Sequence, residues 1–256
     1  MTRIGIIGGS GFARLSGFAG KSRNVETFWG EPSSALMLGE WQEVPIAFLA
    51  RHDAPHRIAP HLVNYRANLW TLKQHGVRVV ISIATAGGIA PDCGAGTLVV
   101  PDQIIDYTWG RPHTFFDHSG ETVRHVDFSR PYCEEMRTVL LEAARAEGIA
   151  VRDRGVYAAT QGPRFESAAE IERLARDGAE VVGMTGMPEA ALARELELCY
   201  AALVVVVNPA AGRGEINAAE IQKSFERATA DVLRIVGRAV RGCASLSFAP
   251  PAWVDP

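Results

Sequence analysis

Short apolar runs alternate with stretches of helical spacing along the chain. Residues 3–7 (RIGII), 46–49, 77–84 (VRVVISIA), 97–100, 156–160, 181–183 and 202–207 are mostly unbroken apolar segments rich in β-branched side chains. Such runs suit strands covered on both faces, since a strand with one wet face would alternate. Between them, apolar residues recur at three- and four-residue spacing. Tyr65, Leu69 and Leu72 mark one helical face that Gly76 ends. Met136, Val139, Leu140, Ala143 and Ala144 mark a second, ending near Gly148, and Ile171, Leu174 and Ala175 a third. The longest stripe is Ile221, Phe225, Ala228, Val232, Ile235 and Ala239. Asn217 with Glu220 three residues later resembles a capping box at its start. This alternation predicts one α/β domain around a central sheet, over residues 1–242. Residues 243–256 read as an irregular tail. Residues 110–131 are polar and aromatic without periodicity and read as a long, functional loop.

Composition narrows the function classes. With 256 residues, 47% of them hydrophobic, the chain can bury a large core. A net charge of −3 argues against a nucleic-acid partner, which would call for a basic face. The four cysteines, Cys93, Cys133, Cys199 and Cys243, lie far apart with no CxxC pair. That spacing predicts neither a disulfide framework nor a zinc site and fits a reducing cytosol. The opening MTRIGIIGGSG lacks the long apolar stretch and cleavage site of a signal peptide, and the run 201–207 is too short to span a bilayer. The expectation is a cytoplasmic protein with no membrane partner.

Three strand ends carry candidate chemistry. The first strand runs into Gly8-Gly9-Ser10-Gly11, where backbone N–H groups can converge on one anion and a hydroxyl adds a donor. A dinucleotide fingerprint would need glycine at position 14, which is Arg14. Gly20-Lys21-Ser22 is not a P-loop, because Leu15 sits where glycine is required. A tight turn and an anion site both remain open for this loop. The segment Arg51 to His61 holds two arginines and three histidines just past a strand end, where α/β sheets bind ligands. An arginine fork fits two oxygens of a phosphate. A solvated basic loop and a metal site are the alternatives; two prolines and the lack of a carboxylate or cysteine set weigh against the metal. Thr85-Ala86-Gly87-Gly88 repeats the pattern of a strand end with small residues and a hydroxyl. Together the three suggest one anion held by several strand ends.

The longer motifs IIGGSG, LARH, VNYRANLW, DQIIDYT, TFF, TQGPRFES-x-x-E-I, GMTGMPEAALARE and VVVVNPAAG occur in this order from about residue 3 to residue 220. With them the chain resembles the trimeric purine nucleoside phosphorylases, in the branch that includes methylthioadenosine phosphorylases. Through TQGPR, MTGMPEAALARE and NPAAG it is similar to bacterial 5′-methylthioinosine phosphorylases. The resemblance implies a mixed, partly barrel-like sheet flanked by helices, and a homotrimer. It implies inorganic phosphate as co-substrate, a purine nucleoside as substrate, and no cofactor or metal. It places Ser10, Arg51, His52, Ala84, Thr85 and Thr185 around phosphate. It places Met184 against the ribose, and Glu166 and Asn208 against the base. His125 falls in a segment that completes a neighbouring subunit's pocket.

These residue types suit the implied chemistry. Breaking a glycosidic bond builds oxocarbenium-like charge on the sugar. Phosphate serves as nucleophile and counter-charge, so the enzyme chiefly has to hold it on the correct face. A donor at purine N7 eases departure of the base. In relatives that take 6-aminopurines, two aspartates align with Asn208 and Ala210. Asn208 can donate to N7, and Glu166 can accept from the N1–H that a 6-oxopurine carries. Both point to hypoxanthine or guanine over adenine. No histidine lies between residues 214 and 227, where ordinary inosine phosphorylases bind the 5′-hydroxyl. Ala218 aligns with that histidine and leaves an apolar gap suited to a methylthio group. The expected reaction is therefore phosphorolysis of S-methyl-5′-thioinosine. General inosine/guanosine phosphorolysis and methylthioadenosine phosphorolysis are the alternatives within the class, and a non-catalytic nucleoside-binding protein is the alternative outside it.

Overall fold

The computed structural model describes residues 3–117, 124–243 and 253–254, without the side chains of Ala218, Trp253 and Val254. The first half runs β1 (Arg3–Gly8), β2 (Ala19–Arg23), β3 (Leu36–Trp41), β4 (Val44–Ala50), a single 3-10 turn (Pro60–Leu62), α1 (Tyr65–Gln74), β5 (Val77–Gly88), β6 (Leu98–Val100), β7 (Gln103–Asp106) and β8 (His125–Val126). The second half runs α2 (Glu134–Ala146), β9 (Arg152–Asp153), β10 (Val156–Ala159), α3 (Ala168–Arg176), β11 (Val181–Gly183), α4 (Gly186–Glu195), β12 (Cys199–Pro209), α5 (Ala218–Cys243) and β13 (Trp253–Val254).

The predicted apolar runs are all strands, and local chemistry sets the helix ends. Asn64 caps α1 by accepting from the Ala67 N–H at 3.1 Å, and Gly76 closes it with φ at +80°. Asn217 Oδ1 accepts from the N–H groups of Ala219 (2.9 Å) and Glu220 (3.4 Å) at the start of α5. The reciprocal capping box is at α3 instead, where Ser167 and Glu170 each satisfy the other's backbone. Two readings need correction. Residues 85–88, expected as a loop, continue β5 to Gly88, because β12 pairs along that edge as far as Pro209. Helix α4 was not anticipated: Gly186 and Pro188 interrupt its pattern, and Met187 inside it is non-helical.

The sheet is mixed and branched. Its main path runs β2-β3-β4-β1-β5-β11-β10-β7, while β12 pairs with both β5 and β6, and β6 with β9. Helices α2 and α5 pack one face: Val232, Ile235 and Ala239 of α5 meet Ile81, Leu203 and Val205. Helices α1 and α4 pack the other: Leu69, Leu72, Ala190 and Leu192 meet Val80, Val204 and Val206. Alternate residues of β5 and β12 thus enter opposite apolar layers, which is why these strands read as unbroken apolar runs. Strand β13 pairs antiparallel with β8, Val254 opposite His125. The remainder of the expected tail beyond α5 lies outside the described residues. Among the described residues, no helix is long and apolar enough to cross a membrane.

The cysteine reading also needs correction. Cys133 and Cys199 form a disulfide, while Cys93 and Cys243 are free and buried. A separation of 66 residues hid the pair. The fold brings it together because Cys133 N–H donates to Tyr200 O at 2.8 Å, joining the start of α2 to the start of β12. Cross-linking a loop of this length restricts the unfolded chain and stabilises by about 2–4 kcal/mol. We expect reduction, or Cys133→Ser, to lower Tm by roughly 5–10 °C for a chain of this size. Thiol titration of the denatured, unreduced protein should find two reactive groups rather than four. Four thiols and an unchanged Tm in reductant would show that the bridge does not form.

Candidate active site

The site arises from a change of partner along one edge of β5. Strand β1 pairs parallel with the first half of β5, ending with Ile7 opposite Ser82. Strand β11 pairs antiparallel with the far end, Val182 opposite Gly87. The two strands approach along one edge from opposite directions and leave it on either side of Ala84 and Thr85. Each then releases its loop there: Gly9-Ser10-Gly11 after β1, and Met184-Thr185 after β11. A cavity of about 310 Å³ lies at this point, lined by Ser10, Arg51, His52, Thr85, Met184, Thr185, Glu166, Asn208 and Ala210 among others. Strand edges that part in this way make crevices at the sheet's switch points. Gly9 sits so close that a Cβ would collide with Ile83 O and Arg51 Nη1.

Arg51 follows β4 and is almost wholly buried at 1% exposure. The sequence reading offered its fork to phosphate. The structure corrects this, because Nε and Nη2 grip the Glu189 carboxylate at 2.6 and 2.9 Å. Nη2 also reaches Ser82 Oγ at 2.7 Å, and Nη1 donates to Ile83 O at 3.1 Å, satisfying a carbonyl on the parted edge. One Nη1 proton remains for a ligand, since a guanidinium carries five N–H donors. Glu189, from α4, also accepts from Ser82 Oγ and Tyr200 OH, both at 2.8 Å. Burial pulls the Arg51 pKa down, but the pair with Glu189 outweighs it and the guanidinium is held above its ordinary value. A cation this deep requires such a partner.

His52 donates from Nδ1 to Ile58 O at 2.8 Å and stacks on His56 with ring centroids 4.3 Å apart. Burial, with Arg51 adding repulsion, pushes its pKa down to about 4. Its ring is therefore neutral near pH 7, with Nε2 the unprotonated nitrogen. Burial lowers the His56 pKa as well.

The cavity is also lined by amide and carboxylate groups. A bulge between Val206 and Asn208 sets Asn208 opposite Gly87 and lets Val207 and Asn208 both line the cavity. Asn208 Nδ2 donates one proton to Pro209 O at 2.6 Å, leaving its second proton and Oδ1 free for a ligand. Glu166 Oε1 accepts from Thr160 Oγ1 at 2.5 Å. Arg111, from the long loop, is 5% exposed. It donates to the carbonyls of Thr160 (3.1 Å), Gln161 (2.8 Å), Met184 (2.9 Å) and Met187 (2.6 Å). It thereby fixes the two segments that carry Glu166 and Thr185.

Most of the expected site residues thus gather around one cavity. Ala84 is outside its lining, although the Ala84 backbone lies against Gly9. His125 is on β8, also outside this lining. Ala218 opens α5, but its side chain lies outside the described residues; Ile216 and Ile221 supply apolar lining nearby. Sequence reasoning missed Glu189 and Arg111. Glu189 sits in a segment whose helical pattern Gly186 and Pro188 interrupt, and Arg111 in an aperiodic loop, so only their burial reveals them.

Comparison with known proteins then decides the family, since the phosphorylase superfamily profile matches residues 3–241. The chain belongs to the phosphorylase superfamily. It is 53% identical over 228 residues to the probable S-methyl-5′-thioinosine phosphorylase of Pseudomonas syringae pv. tomato, covering 88% of this chain and 93% of that one. It is 42% identical over 247 residues to the 6-oxopurine nucleoside phosphorylase of Pyrococcus furiosus, covering 94% and 92%. Among solved structures, methylthioadenosine phosphorylase from Schistosoma mansoni in complex with adenine superposes with a TM-score of 0.92 at 31% identity, covering 96% and 93%. In this superfamily member, the central mixed sheet with flanking helices is the expected architecture.

Two predictions follow from the buried groups. Glu189→Gln leaves the Arg51 charge without a counter-ion, so we expect a loss of about 3–5 kcal/mol in urea unfolding, together with a raised KM for phosphate. Unchanged stability would show that the pair does not anchor Arg51. His52 has a folded pKa near 4 against an ordinary 6.5, so the unfolded chain takes up a proton first as pH falls. Its contribution is complete above about pH 6.5 and is lost progressively towards pH 4, amounting to about 3 kcal/mol at most. His52→Asn should flatten the fall of Tm across that window, and parallel curves for both proteins would refute the assignment.

Proposed function

We propose that the protein catalyses phosphorolysis of a 6-oxopurine nucleoside, converting S-methyl-5′-thioinosine and phosphate into hypoxanthine and S-methyl-5-thioribose 1-phosphate. The observation that carries this reading is that hydroxyl, guanidinium and imidazole groups line the same cavity as Glu166 and Asn208. The relatives named for S-methyl-5′-thioinosine and 6-oxopurine nucleosides support the same class.

In this mechanism Ser10, Thr85 and Thr185 donate hydroxyls to phosphate, with the remaining Nη1 proton of Arg51 and the neutral ring of His52 beside them. The Ala84 backbone on the uncovered stretch of β5 and Met184 flank the ribose. Phosphate oxygen attacks C1′ as the C1′–N9 bond breaks, and its negative charge stabilises the oxocarbenium-like sugar. Asn208 donates to N7, so that the electron pair of the breaking bond is accommodated on a hydrogen-bonded purine. Glu166 accepts from N1–H. Ala210 replaces a carboxylate that a 6-amino group would need. Ile216 and Ile221 give the 5′ substituent an apolar surface. Phosphate is a co-substrate, and no cofactor or metal takes part. The working assembly is a homotrimer in which the partner subunit's His125 completes the pocket, and its setting is cytoplasmic purine salvage.

A second reading, general inosine/guanosine phosphorolysis, draws on His56, which lines the same cavity and could meet a 5′-hydroxyl. Initial rates with methylthioinosine, inosine and methylthioadenosine, each with and without phosphate, separate these readings. We expect base release to require phosphate and kcat/KM to rank methylthioinosine first. Asn208→Asp should move preference towards the 6-amino nucleoside by about tenfold, the scale of one hydrogen bond in a transition state. Release without phosphate, or a preference for methylthioadenosine in the unaltered enzyme, would overturn the proposal.

A further inference from the structure

Base selectivity needs a carboxylate that stays in one orientation, and the structure shows what holds it. Thr160 immediately follows β10. Its N–H donates to Gly183 O at 2.8 Å, and its carbonyl accepts from Arg111 Nη2 at 3.1 Å. Its backbone is therefore fixed on both sides. The side-chain hydroxyl lies 2.5 Å from Glu166 Oε1 and 3.3 Å from Gly183 O. A hydroxyl has one proton, and the shorter contact to a charged acceptor takes it.

Glu166 would otherwise have freedom to turn. It is half-buried, at the end of a segment in which Pro163, Arg164 and Phe165 are all exposed. Arg164 turns its terminal nitrogens to Glu170 instead, at 2.8 and 2.7 Å. The Thr160 hydroxyl thus occupies Oε1 and leaves Oε2 as the acceptor available to a ligand.

We propose that Thr160 is a positioning residue that sets discrimination between 6-oxo and 6-aminopurines by fixing Glu166. The inference rests on the reading that Glu166 meets purine N1. A fixed Oε2 accepts from the N1–H of a 6-oxopurine. It faces the N1 lone pair of a 6-aminopurine, so two acceptors are left unpaired against each other. A carboxylate free to turn away would impose less of that penalty and give less of that bond.

The test is the ratio of kcat/KM for methylthioinosine to that for methylthioadenosine in Thr160→Val, Thr160→Ser and Glu166→Gln, each checked for a native melting transition. A ratio from one preparation cancels any loss of folded enzyme, so a merely structural role would not move it. Thr160→Val keeps the shape and removes the hydroxyl; we expect the ratio to fall by about tenfold or more. Thr160→Ser should keep it within about threefold of the unaltered enzyme. If Thr160→Val does not fold, Thr160→Ala carries the same expectation. An unchanged ratio in Thr160→Val beside a collapsed one in Glu166→Gln overturns the role of Thr160 while leaving the base contact standing. An unchanged ratio in both variants overturns the base contact and, with it, this inference.

Discussion

The architecture depends on the uncovered stretch of β5 around Ala84 and Thr85. A buried strand edge cannot leave its polar groups unsatisfied, and here two partner strands end short of one another. Arg51 meets part of that demand through Ile83 O, and Glu189 in turn meets the demand of Arg51. The carboxylate comes from α4, the guanidinium from the end of β4, and the hydroxyls from β5 and β12. One ion pair therefore ties the helix layer to the sheet at the place where ligands can enter. Low dielectric makes that tie strong and makes losing either half costly.

This arrangement separates structural from chemical duties among groups that are close in space. The face of Arg51 turned to Glu189 is committed to the fold, and a single donor is left over. Arg111 is used in the same manner, its guanidinium shared among backbone carbonyls of two segments. The hydroxyl-bearing loops then need no charge of their own. Polar hydroxyls and backbone held by rigid neighbours can receive an anion without the reorganisation that long, mobile side chains would need.

The sequence revealed the strands readily, because both faces of the sheet are buried and the apolar runs are unbroken. It revealed the α5 stripe for the complementary reason, since only one side of that helix meets the core. Polar, partly exposed strands such as β2 and β7 carried no such signal. The GGSG loop, the Arg51-His52 pair and Thr85 were visible as separate strand ends, and the family motifs joined them. What could not be read was partnership. Glu189 looks like any surface glutamate until Arg51 is seen 2.6 Å away. The Cys133–Cys199 bridge likewise depends on two elements meeting from distant parts of the chain.

The bulge in β12 has a further consequence. Because one extra residue precedes Asn208, the amide shares a strand face with Thr85 instead of the face of Ala86. Gly87 opposite it offers no side chain, and an added Cβ would come within 3.3 Å of the amide nitrogen. The register at this point is thus as much a part of the recognition surface as residue identity. Regular pairing without the bulge would set Val207 opposite Gly87 and Asn208 opposite Gly88, turning the asparagine to the face of Ala86 and Val206, and no substitution at 208 would restore its aim.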